Sequence, residues 1–472
     1  VETPLHFKPD KKQLKGSIFL LNNPTGAIFA DPGRGKTALT LHYLKMLKLI
    51  APPNKRLCAL IVAPKAVIRN TWIEEMKKWN EFNSFSYSIL SSGKKSLKLA
   101  ELNFVSTDSV RWLFSNFSKF SESREKSPFG VLVVDESTKF KNVRSKRFKS
   151  IKQFAPRFNR RVILTGTPIP NSLQDIFPQI YLLDLGEALG KYVTHFRERY
   201  FIKTGYMGYT LEAKPNAQKN VEEKISHLVY RIENKRLIEP KINNIYIDLP
   251  PKVRKIYNEV EKNLFAIIGD EDYLLPSASS AYNACRQIAS GGLYEAIDIE
   301  AENINRKTFS LHCKKAEMLE HMIGELQGSP LLIGYHYKFI VDQIKKHLKK
   351  RVPAINGETN AKSIAKTIRD WNHGKIQVLL GQPQSMGHGL NLQHGPCKNI
   401  CWYNLTDNFE NYDQFNRRII GRKGSKTKVV IHHILARDTL DEVIIGRFEE
   451  KNSNQKSFLN SLRLYGEKQN LL

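Results

Sequence analysis

Residues 30–37, Ala-Asp-Pro-Gly-Arg-Gly-Lys-Thr, join an apolar run, Gly26-Ala27-Ile28-Phe29, to a helix-forming stretch that begins Ala38-Leu39-Thr40-Leu41. Strand, glycine-rich turn and helix in that order predict a phosphate-binding loop. Gly33 and Gly35 let backbone N–H groups turn inward onto phosphate oxygens, and the new helix adds the positive end of its dipole. Lys36 has the reach for β- and γ-phosphates, and the Thr37 hydroxyl is a ligand for Mg²⁺. Ala30 stands where the first glycine of the general pattern is usual. The loop predicts a nucleoside triphosphate with Mg²⁺.

A second set of chemical groups follows the run Val131-Leu132-Val133-Val134, as Asp135-Glu136. Four apolar residues in succession fit a parallel strand covered on both faces. Carboxylates at its C-terminal end lie where open α/β sheets place ligands. Asp135 is the expected Mg²⁺ ligand, and Glu136 the group that orients and deprotonates the attacking water.

These groups need a framework. At 472 residues the chain suits two or three domains, and 41 % apolar with 10 % aromatic residues suffices for packed cores. No apolar run is long enough to span a bilayer, and no signal-peptide pattern opens the chain. The expectation is therefore a cytoplasmic or nucleoid-associated protein that is neither secreted nor membrane-bound. The scattered Cys58, Cys285, Cys313, Cys397 and Cys401 fit a reducing compartment. Cys397 and Cys401 lack a second ligand pair nearby, and His432-His433 lies inside an apolar run, so no structural metal is expected. Lys and Arg total 74 against 46 Asp and Glu, a net charge of +28, which points to a polyanionic partner, nucleic acid first.

Strand-like runs over 27–30, 57–63, 103–106, 131–134 and 162–165 alternate with amphipathic helical stretches such as 38–49 and 71–79. A second set covers 331–334, 377–380, 399–403 and 429–435. The alternation predicts two α/β lobes, each a doubly wound parallel sheet, with helical insertions. Expected boundaries are a first ATP-binding lobe over 1–171, helical insertions and inter-lobe region over 172–310, a second lobe over 311–450 and a tail over 451–472. Only the first lobe carries a triphosphate loop, so the second is expected to supply positive charge to the transferring phosphoryl group. The arginine-rich segment Asp413-Gln414-Phe415-Asn416-Arg417-Arg418-Ile419-Ile420-Gly421-Arg422-Lys423-Gly424 is the candidate.

Together these segments resemble the superfamily-two helicase core, and within it the SWI/SNF-type double-stranded DNA translocases, a resemblance that implies two RecA-like lobes. Gln13 with Gly16 and Phe19 resembles the adenine-recognising element, and Asp31 through Thr37 motif I. Ile61-Val62-Ala63-Pro64-Lys65, continuing to Asn70-Thr71-Trp72, is similar to motif Ia, and Phe104 through Asp108 to motif Ib. Asp135-Glu136-Ser137-Thr138 with Lys139-Phe140-Lys141-Asn142 resembles motif II and its basic extension. Leu164-Thr165-Gly166-Thr167-Pro168-Ile169-Pro170-Asn171 closely resembles motif III. In the second lobe, Leu332 through His336 is similar to motif IV, Ser385 through Leu392 to motif V, and Gln414 through Gly424 to motif VI. Two departures stand out. Arg418 and Arg422 are four apart rather than three, with Arg417 as a competitor for the arginine finger, and motif II reads Asp-Glu-Ser-Thr rather than Asp-Glu-Ala-His.

The resemblance implies a nucleic-acid-dependent ATPase of a compact, bacterial- or viral-like kind, stepping along double-stranded DNA. A strand-separating DNA or RNA helicase and an ATP-switched binding scaffold are the alternatives. It implies ATP between the lobes, held by Gln13, Gly33, Gly35, Lys36, Thr37, Asp135 and Gln414. Thr37 and Asp135 would bind Mg²⁺, and Lys36, Asp135, Glu136, Arg418 and Arg422 would carry hydrolysis. Thr165 and Thr167 would couple nucleotide state to the nucleic acid, whose backbone Lys65, Arg69, Thr107 and Asn391 would contact. Trp72 and Trp79 read as helix-packing residues rather than base-stacking platforms.

Overall fold

A computed structural model describes residues 5–468 apart from 32, 53–55, 93–97, 117–127, 205–209, 234–238, 264, 269–270, 275–277, 296–307, 350–351, 387–389, 391 and 421–427. The chain divides into two units, 1–235 with 451–472, and 236–450.

In the first unit, the described strands of the main sheet in chain order are β1 (Thr25–Ala30), β2 (Ala59–Ala63), β3 (Tyr87–Leu90), β4 (Leu102–Ser106), β5 (Val131–Asp135), β6 (Arg160–Thr165) and β7 (Val229–Ile232). They form one sheet in the order β3-β4-β2-β5-β6-β1-β7, and each neighbouring pair is parallel. Side chains alternate between sheet faces, so each continuous apolar run feeds two cores. Ala27, Phe29, Leu132, Val134 and Ile163 enter one cluster with Phe140, Ile176 and Ile180. Ile28, Ala30, Val131, Val133, Val162 and Leu164 enter the other with Leu39, Leu41 and Trp72. Two covered faces make this sheet doubly wound.

The second unit repeats the plan with β8 (Lys241–Ile247), β9 (Leu331–Gly334), β10 (Ala354–Ile355), β11 (Val378–Gly381), β12 (Asn399–Trp402) and β13 (Val430–Ala436). Its sheet runs β8-β13-β12-β9-β11-β10, again parallel throughout. Leu331, Ile333, Cys401 and Ile434 face one core, whereas Leu332, Ile400, Trp402 and Ile431 face the other.

The region 172–310 is more than a helical insertion. It holds the helices Ile176–Asp184, Val193–Tyr200, Ala217–Ile225, Pro251–Asn263 and Ala278–Ala289, but β7 and β8 within it complete the edges of the two sheets. Both strands escape the apolar-run signal for a physical reason. β7 reads Val-Tyr-Arg-Ile, with a buried charge, and β8 is an edge strand, largely solvated, whose Asn243 and Asn244 bond to His432 and His433 of β13. The segment after 450 is helical through Lys468, and its Phe458 is fully buried in the first unit's core. Among the described residues, no helix is long and apolar enough to cross a membrane.

Candidate active site

The loop 30–37 leaves β1 between β6 and β7. Gly33 and Gly35 have φ of 75° and 69°, left-handed conformations that L side chains rarely adopt. A Cβ on Gly35 would also collide with the Gln13 side-chain amide. The helix Lys36–Ile50 starts directly after Gly35, with Thr37 buried and the Lys36 ammonium 3.5 Å from the Ala30 carbonyl.

Gln13 reaches the loop by donating from Nε2 to the Arg34 carbonyl at 3.4 Å. Its Oε1 accepts from the Asp10 amide while Asp10 caps the helix Lys11–Asn22, a reciprocal capping box. The element resembling an adenine-recognition motif is thus also a helix N-terminus that steadies the loop.

Asp135 ends β5 with 4 % of its surface exposed. Its Oδ2 accepts from Trp72 Nε1 at 2.8 Å and its Oδ1 from the Glu136 amide at 2.9 Å. Burial, together with the Glu136 carboxylate, pushes the Asp135 carboxyl up to about 6, against the opposing pull of Lys36 and the indole N–H. Glu136 has φ of 53°, a strained conformation for a non-glycine residue and a feature that clusters at functional positions. Hard oxygen donors at Thr37 and Asp135, and the Lys36 ammonium where the glycine-rich loop opens a helix, make a donor set that fits a magnesium–triphosphate.

The segments resembling motifs II and III are joined by a residue that the sequence reading missed. Ser137 Oγ donates to Gln179 Oε1 at 2.7 Å, and Gln179 Nε2 donates to the Pro168 carbonyl at 2.6 Å and the Asp175 carbonyl at 2.7 Å. Thr165 and Thr167 are buried, and the Thr167 amide donates to Thr165 Oγ1 at 3.1 Å. A second missed residue is Arg231 on β7. Its guanidinium donates to the Phe29 carbonyl at 3.0 Å and pairs with Asp31 Oδ1 at 2.5 Å, so it grips the chain on both sides of Ala30, where β1 passes into the loop. A lone arginine in a region read as helical carries no local signal of this contact.

Lys65 and Arg69 are exposed, as are Arg144, Lys146 and Lys149 beyond motif II. Thr107 differs from expectation. It is buried, and its amide is tied to the Ala63 carbonyl at 3.0 Å, so its hydroxyl is not presented at the surface. Arg147 instead reaches that strand end, pairing with Asp108 at 2.6 Å. Asn391 and Arg422 lie outside the described residues.

In the second unit, Gln414 is buried on the helix Phe409–Asn416 and donates to Glu410 at 3.1 Å. Arg417 pairs with Asp413 at 2.7 Å, one helical turn back, whereas Arg418 Nη1 donates to the Leu390 carbonyl at 3.3 Å, beside the segment resembling motif V. His433 is bonded between Asn244 and Tyr412. The Cys397 thiol is buried, which pushes it up to about 12.

The chain matches the family model described as SNF2-related domain over residues 12–290. It is 32 % identical to protein p41 of Acyrthosiphon pisum secondary endosymbiont phage 1 over 94 % of this chain and 96 % of that protein. It is 23 % identical to the ATP-dependent helicase YqhH of Bacillus subtilis, covering 94 % of this chain and 78 % of YqhH. It is also 23 % identical to the CHD3-type chromatin-remodeling factor PICKLE of Arabidopsis thaliana, with 97 % of this chain spanning only 36 % of that protein. A solved SWI2/SNF2 ATPase core in complex with dsDNA, from Sulfolobus solfataricus, is similar at 19 % identity and a TM-score of 0.44, over 98 % of this chain and 96 % of that one. With the family model covering more than half of its length, the chain belongs to the SNF2-related family, as a SWI/SNF-type member of the superfamily-two nucleic-acid-dependent ATPases.

Proposed function

We propose that the chain is an ATP-driven translocase on double-stranded DNA. The observation that carries this reading is the C-terminal end of the first unit's parallel sheet, where β1, β2 and β5 finish. There Lys36 and the Asp135–Glu136 pair interact electrostatically, and exposed Lys65 and Arg69 follow the neighbouring strand β2. The relative named an ATP-dependent helicase supports ATP as the fuel.

Lys36 and the loop amides would hold the β- and γ-phosphates, and Thr37 with Asp135 would hold Mg²⁺. The bound cation would neutralise charge on the phosphate oxygens. Glu136 would accept the proton of the attacking water at its carboxylate. Arg418 and Arg422 are the candidates for the cation that stabilises the transferring phosphoryl group. Lys65 and Arg69, joined by Arg144, Lys146 and Lys149, would contact backbone phosphates, which position a duplex without reading its sequence.

The test is the ATPase rate with no nucleic acid, single-stranded DNA, duplex DNA and duplex RNA, with Glu136→Gln as blank. It is paired with displacement of a third strand from duplex DNA. Strong duplex-DNA stimulation with ATP-dependent displacement is expected, and Lys36→Ala should abolish both while still binding DNA. A preference for single strands or RNA would replace the reading with an unwinding helicase. Equal turnover without nucleic acid would refute it.

A further inference from the structure

Trp72 is fully buried, and its indole N–H is spent on Asp135, 63 positions away in the chain. Packing alone does not require this arrangement. Phe104 meets the ring edge-on at 5.8 Å, and a phenylalanine would fill most of the same space. A buried indole N–H needs an acceptor, and the acceptor here is the carboxylate assigned to Mg²⁺. With Trp72 on Oδ2 and the Glu136 amide on Oδ1, the rotation of that carboxylate is held from both sides.

The backbone that delivers Trp72 is unusual. Residues Ile68–Trp72 form a single π-helical turn between the helical segments Lys65–Val67 and Ile73–Lys78. Such turns insert one residue into a helix and are frequent at functional positions. Without the inserted residue, everything beyond it would rotate by about 100°, one residue's share of a helical turn. The turn therefore lets one short segment do two things. Ile68 and Trp72 point into the core, while Lys65, Arg69 and Asn70 are exposed.

We propose that Trp72 is a positioning residue that holds the Asp135 carboxylate and ties it to the Lys65–Asn70 surface, so that a nucleic-acid backbone seated on that surface sets the metal-binding geometry of Asp135. The proposal rests on the nucleic-acid-dependent reading of the same site. It differs from a direct role in hydrolysis, because Trp72 acts only through Asp135 and the π-helical turn.

The experiment compares wild type with Trp72→Phe, which keeps the ring and removes the donor. Mn²⁺ binding at saturating ADP, followed by electron paramagnetic resonance, should weaken by about tenfold, the scale of one hydrogen bond to a charged group. ADP binding in EDTA and duplex-DNA binding without nucleotide should stay within about twofold. Stimulation of ATPase by duplex DNA should fall more than the unstimulated rate. Wild-type-like Mn²⁺ affinity would overturn the positioning role. Equal loss of stimulated and unstimulated rates would overturn the tie to the surface. The double variant Lys65→Ala/Arg69→Ala alters only exposed groups and covers the case in which Trp72→Phe does not fold. It should keep Mn²⁺·ADP affinity and lose stimulation, and retained stimulation would overturn the tie. If wild type itself shows no response to nucleic acid, the functional reading and the tie fail together, and the Mn²⁺ titration still decides whether Trp72 holds Asp135.

Discussion

Arg231→Met removes a guanidinium and keeps the apolar stem, and the structure allows its effect to be worked out. The Arg231 side chain is 5 % exposed and its partner Asp31 18 %. Three contacts disappear: the ion pair at 2.5 Å and hydrogen bonds to the carbonyls of Phe29 at 3.0 Å and Ile232 at 3.2 Å. Removing one partner of a buried pair costs about 3–5 kcal/mol, because the other charge is left uncompensated. Asp31 retains some contact with solvent, which favours the lower end, about 3 kcal/mol. The backbone bond from the Asp31 amide to the Ile232 carbonyl survives, so the loop should loosen rather than detach. Re-ordering it on binding should weaken ATP by about tenfold, equivalent to about 1.4 kcal/mol. Two units make a single unfolding free energy ill-defined. The assay is therefore hydrogen exchange in increasing urea, read on peptides covering 25–31 and 229–232, together with nucleotide titration. Adding Asp31→Asn should recover at least about 1 kcal/mol, since a carboxylate that has lost its guanidinium is the main penalty. A change below about 0.5 kcal/mol with unaltered ATP affinity would refute the claim that β7 anchors the phosphate loop.

Gln179→Leu leaves the Ser137 hydroxyl and Pro168 carbonyl without their partner. It should lower first-unit stability by about 3 kcal/mol and reduce DNA-stimulated turnover more than unstimulated turnover, read by urea-dependent exchange and ATPase assays. Arg418→Ala and Arg422→Ala should separate the two arginines. The finger variant loses turnover and keeps ATP binding, and if neither slows hydrolysis the alignment with motif VI is wrong. Acid should weaken the second unit, because burial holds His312 down at about 4 and His433 at about 3 against an ordinary 6.5. The unfolded chain then binds more protons below pH 6.5, so stability is lost as pH falls, by about 2 kcal/mol per histidine at pH 5. An unchanged urea midpoint for that unit between pH 7 and 5 would contradict neutral burial of both histidines.

What was legible in the sequence was local. The loop 30–37 needs only a strand, two left-handed glycines and a following helix. The central strands announce themselves because covered sheet faces demand uninterrupted apolar runs. Asp135 and Glu136 were found because ligand sites follow strand ends. The strands at 87–90, 229–232, 241–247 and 354–355 were not found. Two have solvated faces, one carries a buried arginine and one is only two residues long, so none offers a continuous apolar run.

By itself, then, the amino-acid order determined two α/β lobes, a glycine-rich strand–loop–helix turn and a pair of carboxylates at a strand end, because backbone conformation and two-faced burial are written within a few neighbouring residues. Which side chains steady those groups was decided by the tertiary structure alone. Trp72 meets Asp135 across 63 residues, Ser137 meets Gln179 across 42, and Arg231 meets Asp31 across 200. The strand order β5-β6-β1-β7 sets β7 beside the phosphate loop, and the π-helical turn aims Trp72. The physical reason is that hydrogen bonds and ion pairs act over a few ångströms of space, and only the assembled sheet converts distant sequence positions into neighbours.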